Sequence, residues 1–146
     1  MEDKNTPTKV SLQSLLDTNK TLEHEYPGSP EFKVQLNYIS REQLMNIRKK
    51  ASKTKYNAKT RVMDEQLDEE AFLRLYTDAV IKGWKGFTVS ILEKLCIVNT
   101  QGVNKDSLVE YTPEDAFYLM KNSSEFDAWV SDTLGDLSNF QKTSSK

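Results

Sequence analysis

The chain of 146 residues carries 20 Lys and Arg against 22 Asp and Glu, a formal net charge of −2, with one histidine and one cysteine. That length suits one domain with its own hydrophobic core, and the near-neutral charge excludes a globally cationic binder of phosphate backbones. A lone cysteine forms no intramolecular disulfide, no apolar run approaches the roughly 20 residues of a membrane-crossing helix, and no basic-then-apolar leader opens the chain, so the expected location is a reducing cytoplasm.

Residues 1–9 are polar and aperiodic and read as a flexible arm, 10–140 as a single domain, and 141–146 as a flexible tail. Val10, Leu12, Leu15 and Leu16 suggest a short helical turn or docked segment. Leu22, His24 and Tyr26 then alternate with charged residues, Pro27-Gly28-Ser29-Pro30 supplies a turn, and Phe32, Val34, Leu36 and Tyr38 alternate with polar residues. This pattern predicts an antiparallel β-hairpin whose apolar face must pack on helices, because an isolated hairpin is marginal in water.

Ser40 with Gln43 fits a capping box, and Ile39 with Leu44 a hydrophobic staple, so a helix is expected from there to about Ser52. Leu44, Ile47 and Ala51 line its inner side; Arg48, Lys49 and Lys50 lie on its wet side. From Arg48 to Arg61 seven basic residues, including Lys53, Lys55 and Lys59, run without an acid. A solvated helix end and loop, an acidic protein partner and nucleic acid are the three readings of that run, in that order of preference.

The next stretch, Asp68 to Gly86, places Phe72, Leu75, Tyr76, Ala79, Val80 and Trp84 on one helical face behind an Asp68 N-cap, with Gly83 and Gly86 freeing the chain to turn a corner around Trp84. Thr88 caps a following helix with Val89, Leu92, Leu95 and Cys96 as its buried stripe. Residues 99–106 are a polar connection, and Leu108 to Tyr111 a short extended piece. Thr112-Pro113-Glu114-Asp115 starts another helix carrying Ala116, Phe117, Leu119 and Met120 inward. Ser123 or Ser124 caps the last, with Phe126, Trp129, Val130, Leu134 and Leu137 in helical phase and Phe140 near its end. The expected fold is α+β and predominantly α-helical: an N-terminal β-hairpin packed on a bundle of about four to five helices.

Between Asp106 and Phe140 eight acids face the single base Lys121, so the chain has a basic middle and an acidic end. Intramolecular complementarity, self-association and steering of a charged partner all follow from such polarity.

Chemistry is scarce. His24 has no partner nearby in sequence, and Cys96 has no histidine to activate it and lies in an apolar run, so neither a triad nor a multi-histidine metal site can be assembled. The glycines form no phosphate-binding loop. No catalytic residue, cofactor or metal ligand is assigned, and a non-enzymatic role is expected. Trp84 and Trp129 are in phase with apolar faces, which favours core packing over interface anchoring.

The order Phe32-Lys33-Val34-Gln35-Leu36-Asn37-Tyr38-Ile39-Ser40-Arg41-Glu42, Arg48-Lys49-Lys50-Ala51, Ile81-Lys82-Gly83-Trp84-Lys85-Gly86 and Tyr111-Thr112-Pro113-Glu114-Asp115-Ala116 before a closing helix resembles tail assembly chaperones of long-tailed bacteriophages. The resemblance implies a cytoplasmic protein of phage morphogenesis that binds the aggregation-prone tape measure protein, keeps it soluble until tail tube subunits assemble around it, and is absent from the virion. Many members also have a longer frameshifted product, of which this chain would be the short form. Alternatives are a nucleic-acid-binding regulator using residues 48–61 and a structural tail or head-completion component. Candidate partner-binding residues are Arg48, Lys49, Lys50, Lys53 and Trp84, with Leu73 and Ile91 as exposed apolar contacts off the main helical stripes.

Overall fold

A computed structural model describes residues 7–17 and 20–141; most of the expected arm, at 1–6, and the tail at 142–146 lie outside the described residues. The architecture is mixed α+β, with an N-terminal hairpin and several packed helices. The hairpin joins β1 (Lys20–Tyr26) to β2 (Ser29–Tyr38) through a two-residue turn, Pro27-Gly28, in which Gly28 takes the left-handed φ of 84° that a side chain would resist. Ser29 and Pro30 therefore belong to the strand rather than the turn.

Alternation along β2 sends Phe32, Val34 and Leu36 inward, each at 0% exposure. They meet α6 (Ser124–Gly135), where Phe126 stacks 6.1 Å from Phe32, and Trp129 stands edge-on at 5.0 Å to Tyr26. Tyr26 donates its hydroxyl hydrogen bond to Glu125 at 2.8 Å. Burial, with the Glu125 carboxylate adding to it, holds that phenol above its ordinary range.

Three start signals form as the residues predict. Ser40 Oγ accepts from the Gln43 amide while Gln43 Oε1 accepts from the Ser40 amide, opening α2 (Arg41–Ala51). Asp68 accepts from Ala71 N at 3.1 Å at the start of α3 (Glu69–Val80), and Thr112 from Asp115 N at 3.0 Å at that of α5 (Pro113–Asn122). Ser123, not Ser124, caps α6, accepting from Phe126 N.

The helix from Asp68 does not reach Trp84. It stops at Val80, and Ile81–Lys85 forms β5, the third strand, antiparallel to β2 in the order β1-β2-β5. Val34 faces Trp84 and Leu36 faces Ile81, with a register shift between these pairs that leaves Lys82 as an extra residue. Such a bulge lets Ile81 and Trp84, three residues apart, lie on the same inner face. Beyond it Gly86 has φ 71°, and a Cβ there would come within 1.8 Å of the Glu31 carbonyl oxygen, so a glycine is required on two counts.

The basic middle also differs from the expected loop. After α2 the chain forms β3 (Ser52–Asn57), turns through residues 58–61, and returns as β4 (Val62–Leu67), a separate two-stranded sheet. Asn57 shapes the turn, its Oδ1 accepting from Lys59 N and its carbonyl from Arg61 N, with Arg61 at φ 58°. At the amino end Leu12–Leu15 forms the helical turn α1, but Val10, Leu12, Leu15 and Leu16 are exposed rather than docked. At the other end the last helix stops at Gly135; Leu137–Phe140 is a 3₁₀ turn that buries Phe140 and leaves Leu137 exposed.

Candidate binding surfaces

Two grooves and the β3–β4 arm present apolar side chains at the surface, as do Val10, Leu12, Leu15 and Leu16 around α1 and the separate residues Met45, Val103 and Leu108. The larger groove, about 660 Å³, opens between α4 (Val89–Leu95) and α5. Its floor is Trp84, Phe87, Leu92, Cys96, Val109 and Leu119; its rim carries Ile97, Val98 and Tyr118, which are exposed. Asp115 is its one charged lining residue. The loop that follows α4 and the floor are tied down. Glu93 on α4 accepts from both Lys105 and Thr100, and Val109 N bonds Phe87 O at 2.7 Å. Lys105 holds the Glu93 carboxyl below its ordinary range, with Thr100 assisting. Burial pushes the Cys96 thiol up, which disfavours its thiolate form.

Trp84 anchors this groove from below. Its indole N–H donates to Val109 O at 2.8 Å, and its ring stands edge-on to Phe87 and Tyr111, each 5.2 Å away. It is half-buried, so it belongs both to the packed aromatic group and to the groove floor.

A second groove, about 450 Å³, lies between α2, α3 and α6 and brings Arg48 and Leu73 together with Leu44, Phe72 and Tyr76. The Arg48 guanidinium sits 5.2 Å from the Phe72 ring centroid. Leu73 is not a free apolar contact: it is half-buried and packed against the core. Asp127 lies at the groove edge, where burial raises its carboxyl, opposed by a hydrogen bond from Ser131.

The remaining sequence candidates disperse. Lys49 and Lys50 are exposed on α2, and Lys53 at the base of the arm pairs with Asp68 at 3.4 Å. Ile91 is a correction. It is 3% exposed and belongs to the central core cluster, so the short α4 buries Val89, Ile91 and Leu95 rather than a single stripe through Val89 and Leu92. His24 gains distant partners as well as a local one: its ring nitrogens face the carbonyls of Leu22, two residues away, and Asn139 at 3.2 and 3.1 Å, and its ring lies beside Phe140. These contacts pin β1 to the closing turn.

Sequence reasoning missed Tyr56, Val62 and Met63 on the arm and Ile97, Val98 and Tyr118 on the groove rim. Thr54 and Tyr56 interleaved with Lys53 and Lys55, followed by the turn-forming Asn57, were the available strand signal. Among the described residues no group of three or more His, Cys, Asp or Glu is placed to hold a metal, and no helix is long and apolar enough to cross a membrane.

Residues 28–146 match the family model described as YdaY prophage protein. The chain belongs to the YdaY prophage protein family. That match runs from the β1–β2 turn through both grooves and the arm, leaving β1 and α1 outside it. Neither a curated protein nor a solved structure matches the chain. Membership in the YdaY family associates these surfaces with a phage-encoded protein.

Proposed function

We propose that this YdaY family protein is a tail assembly chaperone that binds the tape measure protein in the host cytoplasm and keeps it soluble until tail tube subunits surround it. The α4–α5 groove carries this reading. It offers an open apolar floor with exposed aliphatic and aromatic edges, the surface that an amphipathic client helix needs in order to bury its apolar face. Its lining is apolar apart from the Cys96 thiol, the Tyr118 hydroxyl, the Asn122 amide and the Asp115 carboxylate, so shape and apolar area dominate what it presents. Membership in a prophage protein family supports a phage-associated role in general, and the order of sequence features resembles that of tail assembly chaperones.

Co-expression with the tape measure protein of the same prophage tests the reading. The expected outcome is a soluble complex, lost when Val98→Glu and Tyr118→Ala open the groove rim without touching the core. A client equally soluble and uncomplexed with or without this chain overturns it, as does retention of the protein in purified virions, which would mark a structural component.

A further inference from the structure

We propose that the β3–β4 arm of one protomer seats on the α4–α5 groove of a second copy, giving head-to-tail self-association. The arm is a two-stranded ribbon with almost every residue exposed, and such ribbons need a further layer for their apolar side chains. Tyr56 and Met63 are cross-strand partners on one face near its tip, 58% and 59% exposed, and Val62 is exposed on the other. The groove is the complementary half, an apolar floor whose rim is equally uncovered.

Charge selects the same pairing. The tip carries Lys59 and Arg61, neither ion-paired among the described residues, at the end of a segment with seven cations and no acid. Asp115 lines the groove and has no cationic partner among the described residues, unlike Glu114, which Arg74 engages at 3.0 Å. Seating the tip would place Tyr56 and Met63 against Ile97, Val98 and Tyr118 while Lys59 and Arg61 approach Asp115. Arm and groove are different surfaces, so the contact is heterologous: each added copy leaves one arm and one groove open, and association continues until a ring closes or a filament grows.

Light scattering on the purified full chain tests this without any client. The expected result is concentration-dependent species above the 16.8 kDa monomer that shrink as salt rises from about 50 mM to about 500 mM. An arm variant, Tyr56→Glu with Met63→Glu, and a groove variant, Val98→Glu with Tyr118→Ala, are each expected to weaken association roughly tenfold or more. Their equimolar mixture decides the geometry. The arm variant keeps an intact groove and the groove variant an intact arm, so the mixture should form a dimer and stop there. Lys59→Ala with Arg61→Ala leaves the apolar contact in place and should weaken association while flattening its salt dependence, which keeps the test open if an acidic substitution disturbs folding.

A chain that stays monomeric overturns the proposal, as does association that the arm variant leaves unchanged, or a mixture that fails to dimerise, which would indicate arm-to-arm or groove-to-groove contact. Concentration-independent protection of the groove by its own arm also overturns it. Monomeric chain that still captures the tape measure protein removes arm docking and leaves the chaperone reading standing; arm-dependent association without client capture does the reverse.

Discussion

The inner face of β2 and the β3–β4 arm are both built from antiparallel strands, yet one is the centre of the molecule and the other projects from it. In β2, strict apolar alternation is met on both edges, by β1 and β5, and from one face by α6, so Phe32, Val34 and Leu36 lose all contact with water. In the arm the cross-strand pairs set Lys55 against Asp64, Thr54 against Glu65 and Tyr56 against Met63, leaving neither face apolar enough to be buried by its own chain. The difference shows that hairpin formation and core membership are separate decisions. Local pairing and turn residues make the hairpin, and a continuous apolar face places it inside.

Substitutions in the buried sheet should therefore cost most. Phe32, stacked 4.3 Å from Phe87 and close to Phe126 and Trp84, should lose about 3–5 kcal/mol on truncation to Ala in urea unfolding. Gly86→Ala, with a positive φ and a backbone oxygen in the way, should cost about 3 kcal/mol or more by the same measurement. A mild phenotype for either would mean that the tight β2–β5 junction relaxes easily.

Trp84→Ala should cost about 2–3 kcal/mol, less than a fully buried ring, because part of the ring already faces the groove. Trp84→Phe, which removes the hydrogen bond to Val109 and part of the ring packing against Phe87 and Tyr111, should cost about 1–2 kcal/mol. Near-parental melting of Trp84→Ala with lost client binding would move this residue from support to interface.

Thr77 gives an effect of opposite sign. Its hydroxyl is buried in α3 without a hydrogen-bond partner among the described residues, so the nearly isosteric Thr77→Val should stabilise by about 1 kcal/mol, read as a raised denaturation midpoint.

At the small end, Tyr56→Ala and Met63→Ala should change stability by no more than about 0.5 kcal/mol, since neither side chain is buried in the monomer. A large loss would show that the arm supports the core. Asp68 joins the two regions. The Ala71 amide, with a smaller contribution from Lys53, holds its carboxyl below the ordinary value of 3.8, so its capping contribution is present above that pH and is lost as pH falls through the lowered value. The melting-temperature gap between the parent and Asp68→Ala should therefore be constant near neutrality and close in strong acid.

The first hairpin, the capped helix starts and most of the helical core were legible from the residues because each signal acts over a few positions. Ser40 needs only Gln43 to form its box, and Thr112 needs only the Asp115 amide. Of the binding surfaces, Trp84 was legible as a large ring at a corner and Arg48 as part of a cationic run, but not the groove that each would enter. The arm was hidden because its strands do not alternate polar with apolar residues.

The sequence by itself thus determined where helices begin, that β1 and β2 pair, and which aromatics of β2 and α6 are buried, since caps, turns and periodicity are local properties of the chain. Only the tertiary structure decided that Ile81–Lys85 leaves α3 and becomes a strand. Helical phase continues through Trp84, and what overrides it is the open edge of β2, whose amides and carbonyls are satisfied by a partner distant in sequence. It also decided that Ile91 is covered, and that Trp84, brought inward by the Lys82 bulge, stands at once under the groove and against the core. Burial depends on what packs from the far side, and no spacing within one helix or strand contains that information.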